Sequence, residues 1–199
     1  MNESCDNNGG LNGTTWDVLV VGAGHAGSEA ALAAARMGCR TLLITSRIKA
    51  AANMPCNPAI GGLAKSHLVH ELDALGGEMG INADCCGLQY RTLNHSRGPA
   101  VRATRIQCDK SRYAARMAGV LETTVNLRLL EDDVSGFRVS AGAVTGVETV
   151  RHGFIPAATV VLTAGTALGG RIHVGKESHP GGGDGLPASD ALSETLKNA

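Results

Sequence analysis

Apolar residues along this chain fall into short unbroken runs separated by helix-like or glycine-rich stretches. Such runs mark strands buried on both faces of a parallel sheet. Four stand out: Val18-Leu-Val-Val21, Arg40-Thr-Leu-Leu-Ile44, Leu127 to Leu130, and Thr159-Val-Val-Leu-Thr163. Ala26 to Met37 reads as a helix stopped by Gly38, because glycine readily takes the left-handed conformation that ends helices. Ala64 to Leu75 has helical spacing, with Leu68, Leu72 and Leu75 on one face and Gly76-Gly77 at its end. Thr104 to Glu122 reads as a long helix carrying Ile106, Tyr113, Met117 and Leu121 on one stripe. Asn53 to Leu63 is a loop punctuated by Pro and Gly, and Asn82 to Pro99 is mixed loop and short strand. From Gly136 the period drops to two. Phe137 to Val139, Val144 to Val150 and Phe154 to Pro156 alternate like an antiparallel meander. A last helix opens at Ser189 and runs to Leu196. The order predicts an α/β fold built on a Rossmann-like parallel sheet, with a small antiparallel β meander.

The first strand runs straight into Gly22-Ala-Gly24-His25-Ala-Gly27, a G-x-G-x-x-G turn opening an alanine-rich helix. Each glycine has its own mechanical task in such a turn. Gly22 allows the tight bend, Gly24 lets backbone approach a pyrophosphate, and Gly27 lets helix and strand pack closely. The helix N-terminus then presents N–H groups and a positive dipole to the phosphates. The expected ligand is a dinucleotide. The second strand ends in Thr45-Ser46-Arg47, without the acid that usually binds ribose hydroxyls, so these residues leave NAD, NADP and FAD level.

At 199 residues, with 43% hydrophobic and 18% charged residues, the chain is long enough to bury a proper core. Its formal net charge of zero gives no global pull toward nucleic acid, so any such role needs a local patch. Arg91, Arg97, Arg102, Arg105, Lys110, Arg112 and Arg116 form the one candidate. Arg102 and Arg105, three apart, are expected on one helical face, where they could clamp a phosphate or a carboxylate. Lys110, Arg112 and Arg116 read as a solvated face paired with Asp109 and Glu122. The six cysteines contain no C-x-x-C and no histidine partners at ligand spacing, so no metal site is expected and free cytosolic thiols are. Met1 to Thr15 is polar and glycine-rich, without an apolar core or the arginines of a presequence, and is expected to be a disordered leader. No apolar stretch is long enough to span a membrane.

Several strings together resemble the MnmG/GidA family, flavoproteins of tRNA wobble-uridine modification. They are Gly22-Ala-Gly-His-Ala-Gly27 with Glu29-Ala-Ala, Cys56-Asn-Pro-Ala-Ile-Gly-Gly62, His67-Leu-Val, Asp73-Ala-Leu-Gly-Gly77 and Gly98-Pro-Ala-Val-Arg102-Ala-Thr-Arg105-Ile-Gln107. Asp109, Tyr113, Val161-Leu-Thr163, Gly165-Thr166 and Ile172-His-Val-Gly175 continue the match, from about Trp16 to the C-terminus. The resemblance implies a glutathione-reductase-like FAD-binding domain over residues 16–199, in an enzyme that works with an MnmE-type GTPase as a homodimer within a heterotetramer. The pair would install an aminomethyl or carboxymethylaminomethyl group at carbon 5 of uridine in tRNA. Methylene-tetrahydrofolate would give the carbon, and NADH would renew the reduced flavin. A cytoplasmic setting is implied, or a mitochondrial or plastid one in a eukaryote. A related folate- and FAD-dependent tRNA uridine methyltransferase shares the glycine-rich start but resembles the Gly98 to Gln107 string poorly. Because the family's nicotinamide-binding insertion and helical C-terminal region have no counterpart here, the domain is expected to be incomplete. A flavin-binding segment without activity of its own is the remaining alternative.

Residue by residue, the resemblance places Gly22, Ala23, Gly24, His25, Ala26 and Gly27 on the pyrophosphate, His25 without a catalytic role. Val134 would offer backbone groups to the adenine after the third strand, and Ser189 a hydroxyl or N–H to FAD. The family usually carries an arginine in the loop before Ser189, and Gly181-Gly-Gly183-Asp-Gly185 lacks it. Cys56 is the candidate catalytic residue, held in the rigid Pro55-Cys-Asn-Pro58 loop, where the family usually has serine at position 55. Its thiolate could add to carbon 6 of uracil or act as acid or base there. Residue chemistry alone favours an inert buried thiol. Asn57 would tie the loop or the flavin ring by hydrogen bonds.

Overall fold

A computed structural model describes residues 11, 15–182 and 185–198. The expected leader lies outside the described residues except for Leu11 and Thr15, as do Gly183 and Asp184 of the glycine-rich loop. In chain order the elements begin with β1 (Val18–Val21), α1 (His25–Arg36), β2 (Thr41–Thr45), β3 (Ala59–Gly61), α2 (Ser66–Ala74), α3 (Met79–Cys86) and β4 (Gly87–Leu93). They continue with β5 (Ala103–Cys108), α4 (Lys110–Thr123), β6 (Leu127–Glu131), β7 (Val134–Ser140), β8 (Ala143–Thr149) and β9 (Gly153–Pro156). The chain closes with β10 (Val160–Leu162), β11 (Arg171–Val174), β12 (Glu177–Pro180) and α5 (Asp190–Lys197).

The main sheet is parallel throughout, in the order β10-β1-β2-β6. Its central strands alternate between two cores. Val20 and Leu43 face α1, α3, α4 and the small sheet, packing with Ala31, Leu32, Tyr113, Met117 and Leu121. Leu19, Val21, Leu42 and Ile44 face the opposite way, onto Val147 and Ile155 of the meander and Leu192 of α5. Burial on both faces is why these strands read as unbroken apolar runs. The antiparallel meander β7-β8-β9 lies where the alternation placed it. β10, expected to be buried, is an edge strand in which Leu162 is 36% exposed, because no described strand pairs its outer side.

Three expectations change. Thr104 to Glu122 is not one helix: residues 103–108 form β5, hydrogen-bonded between β3 and β4. The helix starts only after Asp109, whose carboxylate accepts from the Arg112 N–H at 2.9 Å and caps α4. Ile106 fell by coincidence on the α4 stripe. Asn82 to Pro99 holds the end of α3 and the full strand β4 rather than loop and a short strand. Finally, α2 forms, but Leu68 and Leu75 are 57% and 87% exposed. The helix meets its neighbours through Ser66 and Val69 instead.

Candidate functional site

The turn after β1 is locked from two sides. Gly22 has φ +95°, and its N–H donates to the Ile44 carbonyl at 2.7 Å. The Thr163 hydroxyl, just past β10, lies 2.8 Å from the Val21 carbonyl oxygen and 3.0 Å from that of Gly22. A Cβ on Gly22 would sit 2.7 Å from the Thr163 carbonyl oxygen, and one on Gly27 only 1.7 Å from that of Gly22. These two glycines are therefore demanded by packing. Gly24 differs: it precedes α1 as an exposed residue without a side-chain cap, and a Cβ there would meet no atom within 4 Å. Open space above the start of a 12-residue helix is what a pyrophosphate needs.

A cleft of about 250 Å³ opens at the carboxyl ends of β1, β2 and β6. Its lining includes Gly22, Ala23, Gly24, Thr45, Ser46, Val134, Thr163 and Ser189. The tertiary structure thus gathers the glycine turn with Val134 and Ser189, residues more than a hundred positions away. The Ser189 N–H is already committed to the Ala167 carbonyl at 2.7 Å, so only its hydroxyl is left for a ligand. The His25 ring packs on Tyr113, with centroids 5.8 Å apart and its Nε2 buried. Burial holds His25 below its usual pKa and pushes the Tyr113 hydroxyl well above its own. His25 is therefore a packing group that burial holds in its neutral form. Ala26, beside it, is exposed.

The acid missing after β2 is replaced by an unusual neighbourhood. β6 runs beside β2, with Thr45 opposite Glu131, and the Asp132 N–H donates to the Thr45 carbonyl at 3.0 Å. Three acids follow one another there, each with a different fate. Glu131 accepts from the Ile48 N–H at 2.9 Å, securing the turn after β2. Asp132 is 1% exposed and accepts from the N–H groups of Asp133, Arg151 and His152, with the His152 ring 2.6 Å away. Burial pushes its carboxyl up, but hydrogen bonds from His152, Asp133 and Arg151 outweigh it and hold the pKa below 3.8. Asp133 lines the cleft, exposed, with no side-chain partner among the described residues. Neither Thr163 nor the acids were assigned roles from sequence, although the Glu-Asp-Asp run at a strand end was a usable signal.

Cys56 and Asn57 are exposed, and their neighbour Pro55 reaches the cleft wall while they do not. The Cys108 N–H donates to the Pro58 carbonyl at 2.7 Å, which ties this loop to the small sheet β3-β5-β4. The thiols of Cys86 and Cys108 are buried, and burial raises both. Arg102 and Arg105 do not share a helical face. The Arg102 Nε donates to the Arg97 carbonyl at 3.2 Å, whereas Arg105 sits in β5. Arg116 is not a solvated cation either. It pairs with the buried Glu78 at 2.8 Å, and Glu78 also pairs with Arg36 at 2.6 Å. Glu29, quoted above without a role, accepts from the N–H groups of Glu78 and Met79 and caps α3. Among the described residues no group of three or more His, Cys, Asp or Glu is placed to hold a metal ion. None of the described helices is long and apolar enough to cross a membrane.

The sheet order, the glycine turn at its carboxyl edge and the cleft across its switch point define a Rossmann-like α/β fold, one shared with a probable FAD-dependent monooxygenase of Pseudomonas aeruginosa at 14% identity and a TM-score of 0.52. The chain belongs to the glucose inhibited division protein A (GidA) family, whose model matches residues 17–199. It is 55% identical over 183 residues to the tRNA uridine 5-carboxymethylaminomethyl modification enzyme MnmG of Geobacter sulfurreducens. That match covers 92% of this chain and 29% of the relative, so the chain spans less than a third of the curated relatives it resembles. Aquifex aeolicus GidA superposes with a TM-score of 0.88 at 44% identity, over 92% of this chain and 30% of that one. The GidA-related protein of Thermus thermophilus, 23% identical with a TM-score of 0.67, shares the fold, over 93% of this chain and 68% of that one.

Proposed function

We propose that this chain is the FAD-binding portion of an enzyme that adds a (carboxymethyl)aminomethyl group to C5 of the wobble uridine of tRNA. The carrying observation is the cradle over Gly24, locked by Thr163, in a chain 55% identical to an MnmG. The backbone from Gly22 to Gly27 holds the pyrophosphate, and Ala23, His25 and Ala26 supply main chain rather than side chains. Val134 borders the adenine, the Ser189 hydroxyl a neighbouring part of FAD, and Asn57 the edge of the flavin. Asp133, which lines the same cleft as Ser46, stands where a carboxylate can accept from the adenosine ribose. Bound flavin, reduced by NADH, would supply the redox step that moves a carbon from methylene-tetrahydrofolate. The enzyme works with an MnmE-type GTPase, as a homodimer within a heterotetramer, in the cytoplasm.

The exposed Cys56 thiol serves the uridine. Its thiolate sulfur bonds to C6 of the base and electron density moves to C5, which takes up the new carbon. Loss of the C5 proton to water or a base then restores the C5–C6 double bond and expels the thiolate. Cys56→Ala, assayed in the whole enzyme with its GTPase, is expected to cut tRNA modification about a thousandfold or more. FAD absorbance should stay unchanged. A variant that retains modification would remove Cys56 from the chemistry.

FAD binding by the chain itself is tested by fluorescence titration against Gly24→Ala. Since a Cβ there touches no protein atom, thermal stability should hold while FAD binding weakens about 10- to 100-fold through the methyl placed in the cradle. The chain alone is expected to bind FAD weakly and to modify no tRNA. Equal FAD affinity in parent and variant would count against the site.

A further inference from the structure

The small sheet carries a second feature, apart from the cleft. β5 lies between β3 and β4, and the register sets two rows across the strands. One row reads Gly61–Arg105–Arg91 and the other Ala59–Gln107–Gln89. Directly opposed residues of an antiparallel pair project from the same face, so two arginines stand side by side with two glutamines next to them. The alternate residues, Ile60, Ile106 and Tyr90, belong to the other face, where Ile60 and Ile106 join the core and the Tyr90 hydroxyl donates to the Asp84 carbonyl at 2.9 Å. Gln89 and Arg91 are exposed, and Arg105 and Gln107 half-buried. None of the four side chains has a hydrogen bond or ion pair with a described residue, and like charges placed directly opposite destabilise a sheet. An oxyanion between the two guanidinium groups turns that repulsion into a clamp.

We propose that this face binds the phosphodiester backbone of an RNA strand, with Arg91 and Arg105 on one phosphate and Gln89 and Gln107 on adjacent sugar or base edges. The two rows lie two residues apart along each strand, roughly 7 Å, a step a nucleotide spans. Ala59 and Gly61 leave the third column of the platform low, so a strand can lie across it toward the Cys56 loop three residues earlier. The partner class rests on the tRNA proposal above, and the face deepens it by pairing Arg105 with Arg91, a member of the basic patch that had no specific role, and by adding Gln89 and Gln107. Guanidinium planes can stack on unpaired bases, and positively charged surfaces track a single-strand backbone.

The test measures anisotropy of a fluorescein-labelled, uridine-rich single-stranded RNA heptamer with the 199-residue chain across a salt series. Arg91→Gln and Arg105→Gln are each expected to weaken binding about threefold to tenfold at low salt and to flatten the salt slope by about 0.7. Arg171→Gln, removing an exposed cation in β11, is the charge-matched control and should change affinity less than about twofold. No RNA binding by the parent, or equal losses in all three variants, would overturn the site. Loss of tetrahydrofolate pentaglutamate binding with RNA affinity intact would assign the clamp to carboxylates and overturn the RNA assignment. FAD titration of the same proteins separates the two readings: a parent that binds RNA but no FAD refutes the cofactor proposal alone.

Discussion

Gly27→Ala is expected to destabilise the chain by about 3–5 kcal/mol, more than the usual cost of a one-carbon overpacking. The new Cβ would fall 1.7 Å from the Gly22 carbonyl oxygen and 2.6 Å from the Thr163 Oγ1. Alanine normally favours a helix by about 1 kcal/mol over glycine, but that gain cannot offset a clash with the Gly22 main chain. Removing the hydroxyl as well, in Gly27→Ala with Thr163→Ala, should not rescue stability, because the backbone contact remains. Gly119 in α4 supplies the contrast. A Cβ there meets nothing within 4 Å, so Gly119→Ala should stabilise by about 0.5–1 kcal/mol. Urea denaturation of the three variants decides the matter. A Gly27→Ala protein as stable as its parent would show that helix and strand do not approach as closely as described.

Asp132→Ala is expected to cost about 3 kcal/mol at neutral pH. It strips the acceptor from three backbone N–H groups, leaves Arg151 without its buried counter-charge and removes the hydrogen-bond partner of the His152 ring. Asp133→Ala, one residue on and without side-chain partners among the described residues, should stay within about 0.5 kcal/mol of the parent. Acidity supplies a second readout. The folded pKa of Asp132 lies below its ordinary 3.8, so the ionised carboxylate stabilises the fold above that value. The stabilisation is lost as pH falls through the lower folded pKa. The stability gap between parent and Asp132→Ala should therefore be constant from pH 7 to 5 and narrow below about pH 4. A gap that stayed constant down to pH 2 would mean that the carboxylate is not held in its charged form by these donors.

How far the site was legible follows from the range of the interactions involved. Gly22, Gly24 and Gly27 were readable because a tight turn between strand and helix is set by residues a few positions apart. The helix over Thr104 to Glu122 failed at its first turn for the opposite reason. Residues 103–108 find backbone partners in β3 and β4, more than a dozen positions away for most of their length, and long-range pairing overrides local periodicity. The same error hid the clamp. With Arg105 placed on a helix its neighbour seemed to be Arg102, and only the strand register reveals Arg91 opposite it. Arg116 looked solvated because Glu78 lies 38 positions earlier and reaches it only after α3 packs on α4.

Local chemistry in the sequence determined the four apolar runs, the meander, the glycine turn and the family resemblance, since each depends on residue order over a few to a few dozen positions. Tertiary structure alone decided which distant residues share the cleft, and that Thr163 bolts the glycine turn. It also decided that Asp132 is spent on its neighbours while Asp133, exposed, lines the cleft. Those outcomes depend on register and packing between strands, and a one-residue shift in either would reverse which side chains face the ligand.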